Sequence, residues 1–325
     1  MKVLITGGLG FIGGHLVDRC LKNGWNTTVL DVFPAPSSLK KNIRVYSVDL
    51  TNSQEVKDKY FDGIDWVFHT AGRSDLVPAM SAPVAYHHAN VTATLNVLEA
   101  SRKAGVKRFV YAASSTCYGI PRVYPTAETA PIAPAHVYGL TKYMGEAYVL
   151  AWAKLYGMGT VSLRLFNVYG PRVRVSEDYG PVLSTFMPQK LAGKPFTVVG
   201  DGKQKRDFIY VSDVVGAFIA AAKSDLEGVA LNVGTGMPHT VNELVGLLGA
   251  THIVHIPKRP GEPDCTWADI TKITRMLKWK PRISFEEGIG HVLDNIVHWK
   301  DAPVWTPKKI EKATRTWFTY LGGSS

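Results

Sequence analysis

Tyr138 and Lys142 stand four positions apart in the segment Val137-Tyr138-Gly139-Leu140-Thr141-Lys142. On a helix that spacing puts both side chains on one face. A tyrosine hydroxyl has an ordinary pKa of about 10, too high for a base at neutral pH. A neighbouring ammonium favours its phenolate. Lowering such a phenol by about 3 units takes about 4 kcal/mol, which two cations in a dry cleft would supply. By itself, a tyrosine and a lysine at this spacing describe many helix surfaces. Ser114 sets this pair apart. It lies in Ser114-Ser115-Thr116-Cys117-Tyr118-Gly119, at the expected carboxyl end of a strand, where open parallel sheets bind ligands. Its hydroxyl would hold the oxygen that Tyr138 deprotonates.

A second group of residues is built to hold phosphates. Residues 6–13 read Thr6-Gly7-Gly8-Leu9-Gly10-Phe11-Ile12-Gly13. Gly8, Gly10 and Gly13 satisfy GxGxxG, and Gly7, Gly10 and Gly13 the wider GxxGxxG. The loop follows a strand signal and opens a helix signal, the context a dinucleotide site requires. Glycine permits the tight turn and lets the backbone approach a pyrophosphate. The helix start offers N–H donors and partial positive charge. Asp31 closes the second strand, where a carboxylate bonds both ribose hydroxyls and repels a 2′-phosphate, so the pattern favours NAD over NADP. The cationic nicotinamide ring would be the second charge beside Tyr138.

The elements that must position these residues alternate. Lys2–Thr6, Asn26–Val32, Asn42–Val48, Trp66–Thr70, Phe109–Ala113 and Gly159–Leu165 read as strands. Ile12–Asn23, a short polar Ser53–Tyr60, Ala89–Ala104 and a long segment within Pro134–Tyr156 read as helices. Such alternation predicts parallel βαβ units and an α/β, doubly wound parallel sheet of Rossmann type. After Asn167 the texture changes. Pro171, Pro181, Pro188, Pro195, Gly193, Gly200 and Gly202 punctuate shorter elements, which suits a smaller C-terminal α/β lobe closing over a ligand.

Composition narrows the classes. The 325 residues are 46% hydrophobic and 20% charged, which is globular and excludes collagen, coiled coil and disorder. Lys and Arg number 37 against 27 Asp and Glu, a net charge of +10. That excess fits an anionic ligand as well as a solvated surface. It is spread out, with a mild cluster at Lys308, Lys309, Lys312 and Arg315, and has no block resembling a nucleic-acid arm. Cys20, Cys117 and Cys265 are scattered and form no CxxC, so neither a disulfide framework nor a metal site is expected, and a reducing compartment is. The apolar stretch Met1–Leu16 is broken by five glycines and followed by no cleavage signal. Val214–Ala222 is far too short to span a membrane. A soluble cytoplasmic protein is the expectation.

Taken together, these motifs resemble the extended short-chain dehydrogenase/reductases, specifically the NAD-dependent nucleotide-sugar epimerase/dehydratase family of the UDP-glucose and UDP-N-acetylglucosamine 4-epimerase type. The likeness covers about residues 1–300. It rests on the glycine loop, Asp49-Leu50, His69-Thr70-Ala71-Gly72, Asn90, Ser114, Tyr138/Lys142, Leu163–Arg172, Gly200-Asp201-Gly202, Arg206–Val214, Asn232–Gly236, Arg259-Pro260-Gly261-Glu262 and Trp267-Ala268-Asp269. It implies an NAD-binding domain over 1–166, to which 207–235 returns, and a nucleotide-sugar lobe with a tail over 167–325. By this resemblance Tyr138 is the acid/base, Lys142 orients it and bonds the nicotinamide ribose, and Ser114 bonds the reacting oxygen. Gly7, Gly10, Phe11, Ile12, Gly13, Asp31, Asp49, Leu50, Ala71, Asn90 and Phe166 would face the cofactor, with Asp49 and Leu50 at its adenine. Ser115, Thr116 and Asn167 would touch substrate, Asn167 at its phosphates. Arg206 and Arg259 would clamp the pyrophosphate, for which guanidinium forks are suited, and Glu262 would hold the nucleoside ribose. A homodimer through the helices near 89–104 and 138–156 is implied as well.

Family members share a first step, oxidation of the sugar at C4, and differ in the fate of the resulting ketone. The resemblance implies an acidic pair directly after the catalytic hydroxyl residue in dehydratases and a Glu at the position of Thr116 in decarboxylases. Here Ser115 and Thr116 stand there, and a hydroxyl cannot replace a carboxylic acid at ordinary pKa values. A 3,5-epimerase would place a cysteine at position 116; Cys117 is one residue off and reads as packing. Hydride return needs no further acid, so a 4-epimerase is the expectation. Thr266, small where a tyrosine would exclude an N-acetyl group, suggests room for a 2-acetamido sugar. The alternatives are a dehydratase, decarboxylase or 4-keto-forming enzyme of the same family, to which Arg73 leaves room, and a non-catalytic NAD-binding protein. Trp305, Trp317, Phe318 and Tyr320 read as packing residues of an extra helix after 300.

Overall fold

The computed structural model describes residues 1–34, 43–173 and 179–322. Val3, Leu4 and Ile5 are fully buried in β1 (Lys2–Thr6), because helices cover both faces of its sheet. Around β1 lie β2 (Asn26–Asp31), β3 (Ile43–Ser47), β4 (Trp66–His69), β5 (Arg108–Ser114) and β6 (Thr160–Leu165). Later strands are β7 (Asn167–Tyr169), β8 (Phe196–Val199), β9 (Lys205–Arg206), β10 (Phe208–Tyr210), β11 (Val229–Val233), β12 (His239–Thr240) and β13 (Ile253–Ile256). The main sheet runs β11-β6-β5-β4-β1-β2-β3, all parallel. The chain winds outward from β1 in one direction through β3 and in the other through β6, so a crevice opens at the carboxyl ends between β1 and β4.

Helices α1 (Phe11–Lys22), α2 (Leu76–Ser81), α3 (Pro83–His87), α4 (Ala93–Lys103), α5 (Val137–Tyr156), α6 (Val182–Leu191) and α7 (Val211–Lys223) are followed by α8 (Val241–Leu247), α9 (Thr271–Leu277), α10 (Phe285–Asp294) and α11 (Pro307–Leu321). One face of the sheet packs Leu16 and Val17 of α1 and Phe218 of α7 against Val3 and Ile5. The other packs Val97 and Leu98 of α4 and Val149 of α5 against Leu4, Phe109 and Tyr111. A separate core holds the second lobe, with Phe186, Phe196, Leu244, Phe285, Ile289 and Trp299.

The third strand starts at Ile43; Asn42 lies outside the described residues. Beyond one-residue shifts at element ends, the elements depart from expectation in three places. Ser53–Tyr60 is not a helix: only Asp58–Tyr60 makes a helical turn. Asn52 Oδ1 accepts from Gln54 N and Glu55 Oε2 accepts from Asp49 N, and such side-chain bonds to the backbone compete with a helix. The helix expected from Ala89 begins as a wide turn over His88–Thr92 before α4 proper. The helices at Leu76–His87 carry no clear sequence signal, since Pro78 and Pro83 interrupt any periodicity there. Among the described residues no helix is long and apolar enough to cross a membrane, and no cluster of three metal-ligating side chains occurs.

Candidate active site

The glycine loop joins β1 to α1. Gly7 has φ +68°, and a side chain there would press within 2.8 Å of the Ala71 backbone, so the loop packs directly on the turn after β4. Gly13 has no room for a side chain either, because a Cβ would run into the Gly7 carbonyl. Gly10 stands at the start of α1 with no side-chain cap. The first-turn backbone N–H groups of Phe11, Ile12 and Gly13 therefore have no side-chain cap, an arrangement that suits a diphosphate. Asp31, at the end of β2, is 7% exposed. Its Oδ2 accepts from Leu9 N at 3.0 Å and its Oδ1 from Phe33 N at 3.2 Å, which holds the carboxylate beside the loop.

The other expected cofactor residues divide. Asp49 is exposed and folds onto Thr51. The Leu50 and Phe166 side chains are buried in cores. Asn90 is fully buried and its amide is fully engaged: Nδ2 donates to Arg73 O and Thr141 Oγ1, and Oδ1 accepts from Arg73 N at 2.8 Å. It staples the turn after β4 to α5, so any effect on a cofactor passes through those neighbours.

Ser114 ends β5 and Tyr138 and Lys142 lie in the first two turns of α5, whose start is capped by His136: Gly139 N donates to His136 Nδ1 at 3.1 Å. The Ser114 hydroxyl lies near enough to Tyr138 to favour its phenolate. Thr116 Oγ1 donates to Ser114 Oγ at 2.8 Å, and Ser115 sits half-buried beside it. Lys142 is buried with Nζ 4.4 Å from the Tyr111 ring centre. Burial lowers this lysine to about 7. Burial also raises Tyr138, with the Ser114 hydroxyl opposing and Asp75 adding to the rise. The expectation of two cations beside the phenol therefore rests more heavily on the second than on Lys142. Removed from water, the lysine loses much of its own charge, so activation of Tyr138 depends on a second cation.

Two of the substrate-side candidates, Arg206 and Glu262, line a cleft of about 210 Å³ with Gly200, Gln204, Lys258 and Asp264. Glu262 Oε1 lies 2.8 Å from Arg259 Nε and its Oε2 3.9 Å from Arg206 Nη2. Arg259 also lies over the Tyr179 ring at 5.3 Å. Asn167 Oδ1 accepts from Thr266 Oγ1 at 2.7 Å, and that hydroxyl accepts from Asp207 N at 3.1 Å. The amide is thereby fixed with its NH2 left to donate. A larger hollow of about 610 Å³ around Met1, Trp66 and Arg108 lies at the opposite, amino end of the strands, away from all of these groups.

Sequence reasoning missed several contributors. Buried Asp207 accepts from the backbone N–H of Thr235, Gly236 and Ala268, tying three motifs together. His136, parallel to Tyr138, and Tyr179, under Arg259, carry no motif of their own. Glu146, one turn beyond Lys142, pairs with Arg164 at 2.7 Å, and Arg164 also donates to Tyr118 Oη. A charge facing inward on α5 was the available signal. His69, between Thr6 and Thr94, is neutral, lowered by burial to about 3.

A dinucleotide cradle facing a Ser–Tyr–Lys constellation across a doubly wound sheet defines a nicotinamide-dependent oxidoreductase scaffold of the short-chain type. The chain belongs to the NAD dependent epimerase/dehydratase family, whose model matches residues 3–234. Its cofactor is NAD. The chain is 34% identical over 302 residues to a putative UDP-glucose 4-epimerase of Methanocaldococcus jannaschii, covering 90% of this chain and 97% of that one. It is 31% identical to UDP-glucuronic acid decarboxylase 1 of Danio rerio, covering 90% and 72%. The solved UDP-glucose 4-epimerase of Thermotoga maritima, with UDP-glucose, superposes with a TM-score of 0.86 at 32% identity, covering 91% of this chain and 99% of that chain.

Proposed function

We propose that the protein is a nucleotide-sugar 4-epimerase acting through a transient 4-keto sugar, on a UDP-hexose or UDP-N-acetylhexosamine. One observation carries the choice among the family's reactions. The two positions after Ser114 present hydroxyls, and Thr116 is hydrogen-bonded to Ser114 itself at 2.8 Å. No carboxylic acid stands there to protonate a leaving hydroxyl or a carbanion. Cys117 is 1% exposed, and burial raises its thiol to about 12, which supports a packing role over that of a base. Thr266, half-buried and small, supports room for a 2-acetamido group.

In this reading Tyr138 takes the proton of the sugar 4-hydroxyl and Ser114 holds that oxygen, while Lys142 fixes the ribose beside them. NAD would supply the acceptor and donor of hydride at C4, and Tyr138 gives the proton back to the oxygen that Ser114 holds. Asn167, Arg206 and Arg259 meet the diphosphate and Glu262 the nucleoside ribose. Residues 1–166 with 207–235 form the cofactor domain, and the remainder the nucleotide-sugar lobe. Exposed Leu140, Tyr148 and Tyr156 on α5 support a homodimer through that face, and a cytoplasmic location follows from the substrate class.

Proton NMR and mass spectrometry of incubations with UDP-glucose, UDP-N-acetylglucosamine and dTDP-, GDP- and CDP-sugars test this. A C4-inverted product of unchanged mass is expected. A product lighter by water, or by carbon dioxide from a uronic acid, overturns it.

A further inference from the structure

The segment after residue 300 lies beyond the matched family model, which ends at 234. The Thermotoga structure is covered over 99% of its length by 91% of this chain, so about a tenth of the chain has no counterpart there. Helix α11 nevertheless reaches the site. Its buried face is Ile310, Thr314 and Trp317, the spacing of one helical stripe, and that face joins Val77 of α2 and Tyr179 in one cluster. Trp317 is fully buried and donates Nε1–H to the Pro260 carbonyl at 2.8 Å. Its ring meets His136 at 5.7 Å between centres, and His136 lies parallel to Tyr138 at 6.1 Å. One turn on, Leu321 lies against Gly261, a residue at φ +75°. Trp305, just before the helix, packs on Tyr179 at 5.3 Å, the ring that carries Arg259.

Pro260 and Gly261 are the two residues between Arg259 and Glu262. Two guanidiniums around one carboxylate repel each other, and a turn carrying one of them needs an external anchor. We propose that Trp317 is a positioning residue for nucleotide-sugar binding: α11 pins the Pro260-Gly261 turn and so sets Arg259 and Glu262 at the distance from Tyr138 that a sugar joined to a nucleoside diphosphate requires. This rests on the nucleotide-sugar reading of the site. The tail is thereby a wall of the substrate cleft, formed outside the part of the chain that binds the cofactor.

The test compares Trp317→Ala, Trp317→Phe and the outward-facing Lys312→Ala in the full chain. Calorimetry with UDP, dTDP, GDP and CDP measures the clamp apart from turnover, and absorbance measures bound NAD. With the nucleotide the wild type prefers, Trp317→Ala is expected to weaken binding at least tenfold and raise KM in parallel, with kcat within threefold and NAD content unchanged. Trp317→Phe keeps the ring and loses the donor, so its loss is expected to be intermediate, about threefold. Lys312→Ala binds as wild type. Should Trp317→Ala fail to fold, Trp317→Phe decides the question. Unchanged nucleotide affinity in the folded Trp317 variants, or a fall in kcat without a rise in KM, overturns the positioning role alone. A wild-type chain that holds NAD and binds none of the four diphosphates overturns the reading of the site and this inference with it.

Discussion

Two arginine–glutamate clusters, both withdrawn from water, flank the crevice and are composed differently. Beneath it, Glu146 is fully buried and accepts from Arg164 Nε and Nη2 and from Ser162, while Arg164 donates its remaining reach to Tyr118 and Glu128 O. One anion meets one cation, and every lone pair and donor nearby is answered. At its rim, Glu262 faces both Arg206 and Arg259, whose side chains keep 16% and 18% of their exposure. Burial lowers Arg206, with Arg259 adding to the effect and Glu262 opposing it. Arg259 is raised despite burial, because Glu262 and Tyr179 face it. The balanced cluster is a brace between α5, β6 and the turn after β5. The unbalanced one holds a surplus positive charge at the edge of a cleft, which an anionic ligand would neutralise. Stoichiometry, more than burial, separates a structural ion pair from a binding site.

The comparison can be broken most directly at the brace. Glu146→Gln leaves Arg164 charged and unmatched, and breaking a buried pair in this way costs about 3–5 kcal/mol; chemical denaturation is expected to show that loss. Arg259→Ala is the counterpart. Because Arg206 still faces Glu262, the substitution should cost less stability than Glu146→Gln while weakening nucleotide-sugar binding by about 2–3 kcal/mol, the worth of charged hydrogen bonds, read by calorimetry. Equal destabilisation by both substitutions would erase the distinction. The smallest effect sharpens it along α5. Burial lowers Lys142 from 10.5 to about 7, so between those values the unfolded chain binds more protons and stability rises with pH. The burden is complete below about 7. Cofactor-free Lys142→Met should therefore be more stable relative to wild type at pH 6 than at pH 10. An advantage that persists unchanged at pH 10 would mean that packing, and not the ammonium, sets the cost.

The brace and the rim also differ in how far local sequence announces them. The first half of the fold was legible because β1 to β6 and α1 carry the periodicity of buried strands and a one-sided helix, and because glycine at position 7 answers a backbone requirement fixed within a few residues. Ser114, Tyr138 and Lys142 were legible through spacing on such elements. The α2–α3 region was not, since prolines break its pattern. Nor were the side-chain networks. Thr266 reaches Asn167 and Trp317 reaches Pro260 across separations of 99 and 57 residues, and no window along the chain contains either pair. The charge state of Lys142 was misjudged for a related reason. Its burial is produced by α4, β5 and the turn after β4 together, and desolvation cannot be read from one helix.

The hydroxyl of Thr266 ties the evolvability of this chain to a pair of positions. In the proposed reading residue 266 borders the place where sugar size would be sensed, and its hydroxyl also orients the amide of Asn167. A larger side chain there would alter the fit of the sugar and release the amide in one event. Epistasis is therefore built into the pocket. A lineage, or an engineer, changing sugar preference at 266 must restore the orientation of residue 167 by a second substitution, and the order in which the two arise decides which intermediates retain a grip on substrate.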